Sequence, residues 1–102
     1  MCQKGCALSA KRLTDKAYLG VVAEMGCVCC SLLDQKQNGR TAVHHIREGQ
    51  GASQRASDFL TIPLCYDCHQ GPMGIHGDRT YLRILKCDEL DLLAETIKRV
   101  FA

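Results

Sequence analysis

Two Cys-x-x-Cys pairs, Cys27/Cys30 and Cys65/Cys68, constrain this chain more than any other feature. At 102 residues the chain has room for one domain with a modest core, so a staple is expected to carry part of the stability. Eight cysteines are many for that length. The first residues, Met1-Cys-Gln-Lys-Gly-Cys6, lack the apolar segment of a secretory leader, and no stretch reads as a membrane span. A cytoplasmic location follows as the expectation, and there thiols stay reduced. The pairs therefore read as ligands of one structural zinc, because four thiolates close a tetrahedral site with no open position. A redox Cys-x-x-Cys would need a helix N-terminus in a thioredoxin-like βαβ pattern, which the sequence lacks. In the knuckle Gly26-Cys-Val-Cys-Cys30, Cys29 is the alternative to Cys30; two intervening residues favour Cys30 and leave Cys29 as a packed thiol. Cys87 reads as a core thiol, and Cys2 and Cys6 as part of a loose N-terminus over residues 1–10.

The clamp encloses residues 31–64, an insert longer than that of a plain zinc ribbon. Asn38-Gly39 is a turn. Residues 41–46 and 59–64 are short β-branched or apolar runs separated by a polar, glycine-containing loop, so they read as a hairpin, with Pro63 near an edge. Ahead of the clamp, residues 14–25 predict a helix capped by Thr14 and stopped by Gly26, with a stripe of Leu13, Ala17, Val21 and Met25 widened by Tyr18 and Val22. Behind it, Gly71-Pro72 interrupts any helix. Asp78 caps a helix to residue 86, with Tyr81, Leu82 and Leu85 inward. Asp88 caps a last one to residue 100, with a stripe of Leu90, Leu93, Ile97 and Phe101. The whole of 1–102 thus reads as one α+β domain.

All four histidines fall within residues 41–77. Neighbouring strand residues point to opposite sides, so His44 and His45 cannot ligate one metal together but can take two different roles. Phosphodiester hydrolysis needs two: a cation to stabilise charge on the phosphoryl and leaving oxygens, and a base to take the proton of the attacking water. Imidazole, titrating near neutrality, suits the base. His69, directly after a zinc cysteine, is a further ligand for the same metal, and His76 is either a third ligand or a phosphate contact. The bland alternative is four hydrogen-bonded structural histidines. The net charge of +2 is weak evidence for a nucleic-acid partner. Its distribution says more. Lys36, Arg40, Arg47, Arg55, Arg79 and Arg83 lie in or near the histidine window, whereas Asp88, Glu89, Asp91 and Glu95 gather in an acidic tail. Arg47, Arg55, Arg79 and Arg83 are candidates for DNA phosphate contacts.

His44-His45, then Asp58 leading into Ile62-Pro-Leu-Cys65-x-x-Cys68-His69, resembles the HNH (His-Me finger, ββα-metal) endonucleases. Within them, His44-His-Ile-Arg-Glu-Gly-Gln-Gly51, Arg55-Ala-Ser-Asp58 and Cys68-His-Gln-Gly-Pro-Met-Gly-Ile-His-Gly77 are similar to the phage Ref (recombination enhancement) proteins, RecA-dependent HNH nucleases. The resemblance implies a ββα-metal core with a four-cysteine zinc clamp, an N-terminal helix and C-terminal helices. It also implies that His44 and His69 are metal ligands, that His45 is the general base, and that Asp58 stands near the central Asn that orients the base. Asp58 lies slightly earlier than that Asn. Where many members carry a further His four residues after the one matching His69, this chain has Met73, and its next histidine is His76. Ref proteins also carry a long basic N-terminal extension, whereas this sequence starts almost at the domain, so RecA dependence is not carried over with the rest. The expected activity is DNA endonuclease in phage or prophage recombination or DNA processing in a bacterial cell, with one structural Zn²⁺, a catalytic Mg²⁺ or Mn²⁺, and DNA as partner; the RecA filament is a candidate second partner. The rival is a non-catalytic zinc-stabilised DNA- or protein-binding module, which has no need of His45.

Overall fold

The computed structural model describes residues 14–102. The loose segment expected at 1–10, with Cys2 and Cys6, and the stripe residue Leu13 lie outside the described residues. In chain order the elements are α1 (Asp15–Ala23), α2 (Val28–Leu33), β1 (Thr41–His45), β2 (Thr61–Cys65), α3 (Tyr66–His69), α4 (Thr80–Leu85) and α5 (Glu89–Val100). This is a small α+β arrangement in which a two-stranded antiparallel sheet is surrounded by helices.

The two strands pair as the expected hairpin, with His44 opposite Ile62 and His45 opposite Thr61. Its second strand runs Thr61–Cys65 instead of 59–64. Residues 57–60 are used by a turn, in which Leu60 N–H donates to Ser57 O (2.9 Å) and Thr61 Oγ1 to Asp58 O (3.0 Å). All five residues of β2 are buried, and Ile62 and Leu64 join Val28, Leu92 and the clamp cysteines in the core. A strand covered this way reads as a continuous apolar run instead of an alternating one.

Two helices bury only part of the faces the spacing predicts. Thr14 caps α1 as expected, its Oγ1 accepting from Ala17 N–H at 3.1 Å, but the buried residues are Tyr18 and Val22, while Ala17 and Val21 face solvent. In α5 the buried face is Glu89, Leu92, Leu93 and Thr96; of the expected stripe only Leu93 is buried, while Leu90, Ile97 and Phe101 are exposed, Phe101 at 82%. The phase is set by Glu89, which is held inside, and by Asp88, whose carboxylate accepts from Asp91 N–H while Asp91 accepts from Asp88 N–H in a reciprocal capping box. Counter to the expectation of no such stretch, Asp15–Leu33 is long and apolar enough to cross a membrane. The fold breaks it into α1 and α2 and buries Tyr18, Val22, Val28, Cys29 and Cys30.

Candidate active site and metal centres

The knuckle at Cys27 continues into α2, a helix that the glycine- and cysteine-rich spacing does not announce. Cys27 is its N-cap, with Sγ accepting from Cys30 N–H at 3.3 Å. Gln37 then locks the knuckle to the sheet. Its Oε1 accepts from Cys27 N–H (2.7 Å), and its Nε2 donates to Gly39 O and Thr41 Oγ1. Cys65 ends β2 and Cys68 sits in α3, both fully buried. The Sγ atoms of Cys27, Cys30, Cys65 and Cys68 lie within 4.8 Å of one another. Cys30 Sγ is 3.5 Å from Cys65 Sγ and 3.6 Å from Cys68 Sγ, too far for a disulfide. A tetrahedron of sulfurs about 2.3 Å from zinc has edges of about 3.8 Å, so the donor set fits that ion. Burial first, then crowding by the other thiols, pushes Cys30 up to about 11, and a hydrogen bond with Cys68 followed by burial raises Cys27 further. A coordinated cation reverses this logic by deprotonating its thiols outright. Cys29 is buried beside the four.

The second cluster is His44, His69 and His76, whose ligating nitrogens also lie within 4.8 Å of one another. Ring centroids are 5.1 Å apart for His44–His69 and His44–His76, and 4.7 Å for His69–His76. Each ring arrives from a different element. β1 points His44 inward, α3 presents His69, and the loop after α3 folds back to deliver His76. That return is fixed by Ile75 N–H donating to Cys68 O (2.8 Å) and His76 N–H to His69 O (3.0 Å). It requires glycine: a Cβ on Gly74 would stand 2.6 Å from Asp67 O and 2.7 Å from Cys68 O. Burial, then the neighbouring rings, lowers His69 to about 4, and burial lowers His44 as well. Both shifts favour the neutral imidazole, the form that ligates a cation, at His44 and His69. Behind it lies Glu89, only 3% exposed, which His44 Nε2 meets at 2.5 Å. The sequence places Glu89 in an acidic tail, but α5 carries it into the site. No local motif signals this, since an acid at a helix start ordinarily faces water.

On the opposite side of β1, His45 Nε2 is 2.8 Å from Asp58 Oδ1, and Arg55 Nη2 is 2.7 Å from the same oxygen. The hydrogen bond from His45, then the guanidinium of Arg55, holds the Asp58 carboxyl below its ordinary range against a smaller effect of burial. Arg55 Nη2 also lies 3.1 Å from His45 Nε2; the shorter contact to Asp58 assigns the proton to Nε2, which leaves the lone pair of His45 on Nδ1. The four arginines are exposed but not loose. Arg47 donates to Gln54 O and Gly51 O, Arg55 to Asp58, Arg79 to Ile75 O, and Arg83 to Asp78 O. Each guanidinium has five N–H donors, so all four keep donors to spare. Arg79, Leu82, Arg83, Lys86, Cys87 and Asp88 line one groove.

No match was found among curated proteins or among solved structures. The family model described as recombination enhancement, RecA-dependent nuclease, matches residues 12–95, a span that contains both cysteine pairs, all four histidines, Asp58 and Glu89. Over most of its length, therefore, this chain belongs to the family of recombination-enhancement, RecA-dependent nucleases.

Proposed function

We propose that the protein is a metal-dependent DNA endonuclease of the HNH (His-Me finger) type, with β1, β2 and α3 as its ββα-metal core and a zinc in the four-cysteine clamp. One observation carries this reading: the adjacent pair His44 and His45 faces two environments. His44 joins a three-imidazole cluster suited to a cation, and His45 pairs with a carboxylate. A divalent cation held by His44, His69 and His76, Mg²⁺ or Mn²⁺ at work, would neutralise charge on the phosphoryl and leaving oxygens. His45 does the proton chemistry. Asp58 holds the ring through Nε2–H, and the Nδ1 lone pair takes the proton of a water as its oxygen bonds to phosphorus and the opposite P–O bond breaks. The spare donors of Arg55 beside this pair, and those of Arg47, Arg79 and Arg83, hold backbone phosphates, which position DNA without reading its sequence. The substrate is DNA acted on with RecA filaments, as the family name carries, in the cytoplasm of a bacterium hosting the phage or prophage.

The test is nicking of plasmid and single-stranded DNA with Mg²⁺ or Mn²⁺, with and without RecA filaments. Loss of a general base removes roughly 10²–10⁴-fold of rate, so His45→Ala is expected to reduce nicking at least 100-fold while keeping the melting temperature. If folded wild-type protein nicks no DNA under any of these conditions, the non-catalytic binding module is the correct reading.

A further inference from the structure

The nuclease reading leaves Glu89 without a role, yet it is among the most constrained side chains of the molecule. It is 3% exposed at the first position of α5, and its carboxylate collects bonds from three groups of one segment. Arg47 N–H donates to both oxygens at 2.8 and 2.9 Å, Glu48 N–H donates at 2.9 Å, and His44 Nε2 approaches at 2.5 Å. The Arg47 guanidinium is turned away to Gln54 and Gly51, and among the described residues the carboxylate has no ion-pair partner other than His44. A cap for two backbone N–H groups needs only a neutral acceptor. A buried full charge is costly unless a charge answers it. Glu89 is not one of the groups gathered within 4.8 Å at the cluster, so it stands behind His44 and does not join the ligand set.

We propose that Glu89 is a positioning residue of the His44–His69–His76 site: it accepts from His44 Nε2–H, fixes the ring's tautomer and leaves Nδ1 as the lone pair presented to a divalent cation. This rests on the reading of the three histidines as one cation site. The carboxylate–imidazole–cation relay answers the buried charge with the cation's, and raises the basicity of the ligating nitrogen. It also makes α5 part of the site, because the same carboxylate ties down the chain immediately after β1, the strand that bears both His44 and His45.

Glu89→Gln separates the two jobs. The amide oxygen still accepts from Arg47 and Glu48 N–H, but the amide nitrogen only donates, so His44 Nε2 becomes an acceptor and the proton moves to Nδ1. With zinc kept in the cysteine clamp, the His44 tautomer is read by long-range ¹H–¹⁵N correlation, and binding of Mn²⁺ or Co²⁺ at the histidines by titration calorimetry. Wild type is expected to carry the Nε2–H tautomer; Glu89→Gln is expected to carry Nδ1–H and to bind either cation roughly 10–100-fold more weakly. A wild-type ring protonated on Nδ1 overturns the proposal without recourse to any variant. So does an unchanged tautomer in Glu89→Gln, even with weakened binding, since that marks a structural cap alone. A wild type that takes no cation beyond the clamp zinc, yet shows the tautomer exchange on substitution, overturns the cation-site reading and not the hold of Glu89 on the ring.

Discussion

Gly74→Ala is the substitution whose effect follows most directly from the geometry. The added Cβ would stand 2.6 Å from Asp67 O and 2.7 Å from both the carbonyl carbon and oxygen of Cys68, all backbone atoms that no side-chain rotation can clear. Relief to an ordinary carbon–oxygen separation of about 3.4 Å requires the loop to retreat by about 0.8 Å from α3. The loop is held there by Ile75 N–H to Cys68 O at 2.8 Å and His76 N–H to His69 O at 3.0 Å. Lengthened by the same amount, both bonds pass about 3.5 Å and are lost as hydrogen bonds. Two such bonds contribute roughly 1 kcal/mol each, and overpacking strain adds about 1–3 kcal/mol. The expected destabilisation is therefore about 3–5 kcal/mol before relaxation, the lower end after it.

The functional cost is separate. His76 rides on the same segment, and a displacement of about 0.8 Å exceeds the roughly 0.5 Å within which a ligand constellation must be held. Thermal melting followed by circular dichroism, with zinc content measured in parallel, checks the first claim; Mn²⁺ titration of the folded protein at low temperature checks the second. A Gly74→Ala protein that melts within a degree or two of wild type and binds Mn²⁺ equally well would refute the close approach of this loop to α3 and the assignment of His76 built on it.

Two further outcomes follow from the packing. Leu92→Ala, at a fully buried position of α5, is expected to cost about 2–5 kcal/mol. Ile97→Ala, at a residue 38% exposed, should cost well under about 1 kcal/mol; urea midpoints that rank the pair in the opposite order would restore the stripe that spacing alone predicts. On the proposal that the four-cysteine clamp holds zinc, its removal with a strong chelator at neutral pH should unfold the protein, because apparent zinc-binding energies of roughly 10–16 kcal/mol match or exceed a whole domain's stability. A chelated, zinc-free sample that keeps a cooperative melt would refute that dependence.

The hairpin, the choice of Cys30 over Cys29 and the opposed facing of His44 and His45 were legible because each rests on a local rule: turn residues, the two-residue spacing of a knuckle, the period of a strand. The helix phases were not. In α5 the apolar spacing of Leu90, Leu93, Ile97 and Phe101 competes with Leu92, Leu93 and Thr96, and the choice between them is made by Glu89, whose partners lie more than forty residues away in sequence. The same non-locality hid Gln37, a polar loop residue that bonds both the clamp knuckle and the start of β1. A polar side chain declares itself structural only through the backbone groups it satisfies, and these are set by the tertiary fold.

His76 shows how the loop after α3 changes what a given spacing means. On a continuous helix, residues seven apart share a face but stand about 10.5 Å apart along the axis, too far to meet at one ion. A histidine four residues after His69 would be one turn away, but that position is Met73, which is 40% exposed. In this chain α3 stops at His69, and Gly71, Pro72 and Gly74 reverse the backbone. The return brings the His69 and His76 rings to 4.7 Å between centroids. The residues that end the helix are thus the ones that make the seven-residue spacing usable. The cost is a dependence on glycine at a backbone contact that a helix would not need, which is why Gly74, and not a histidine, is the position at which site geometry and stability should fail together.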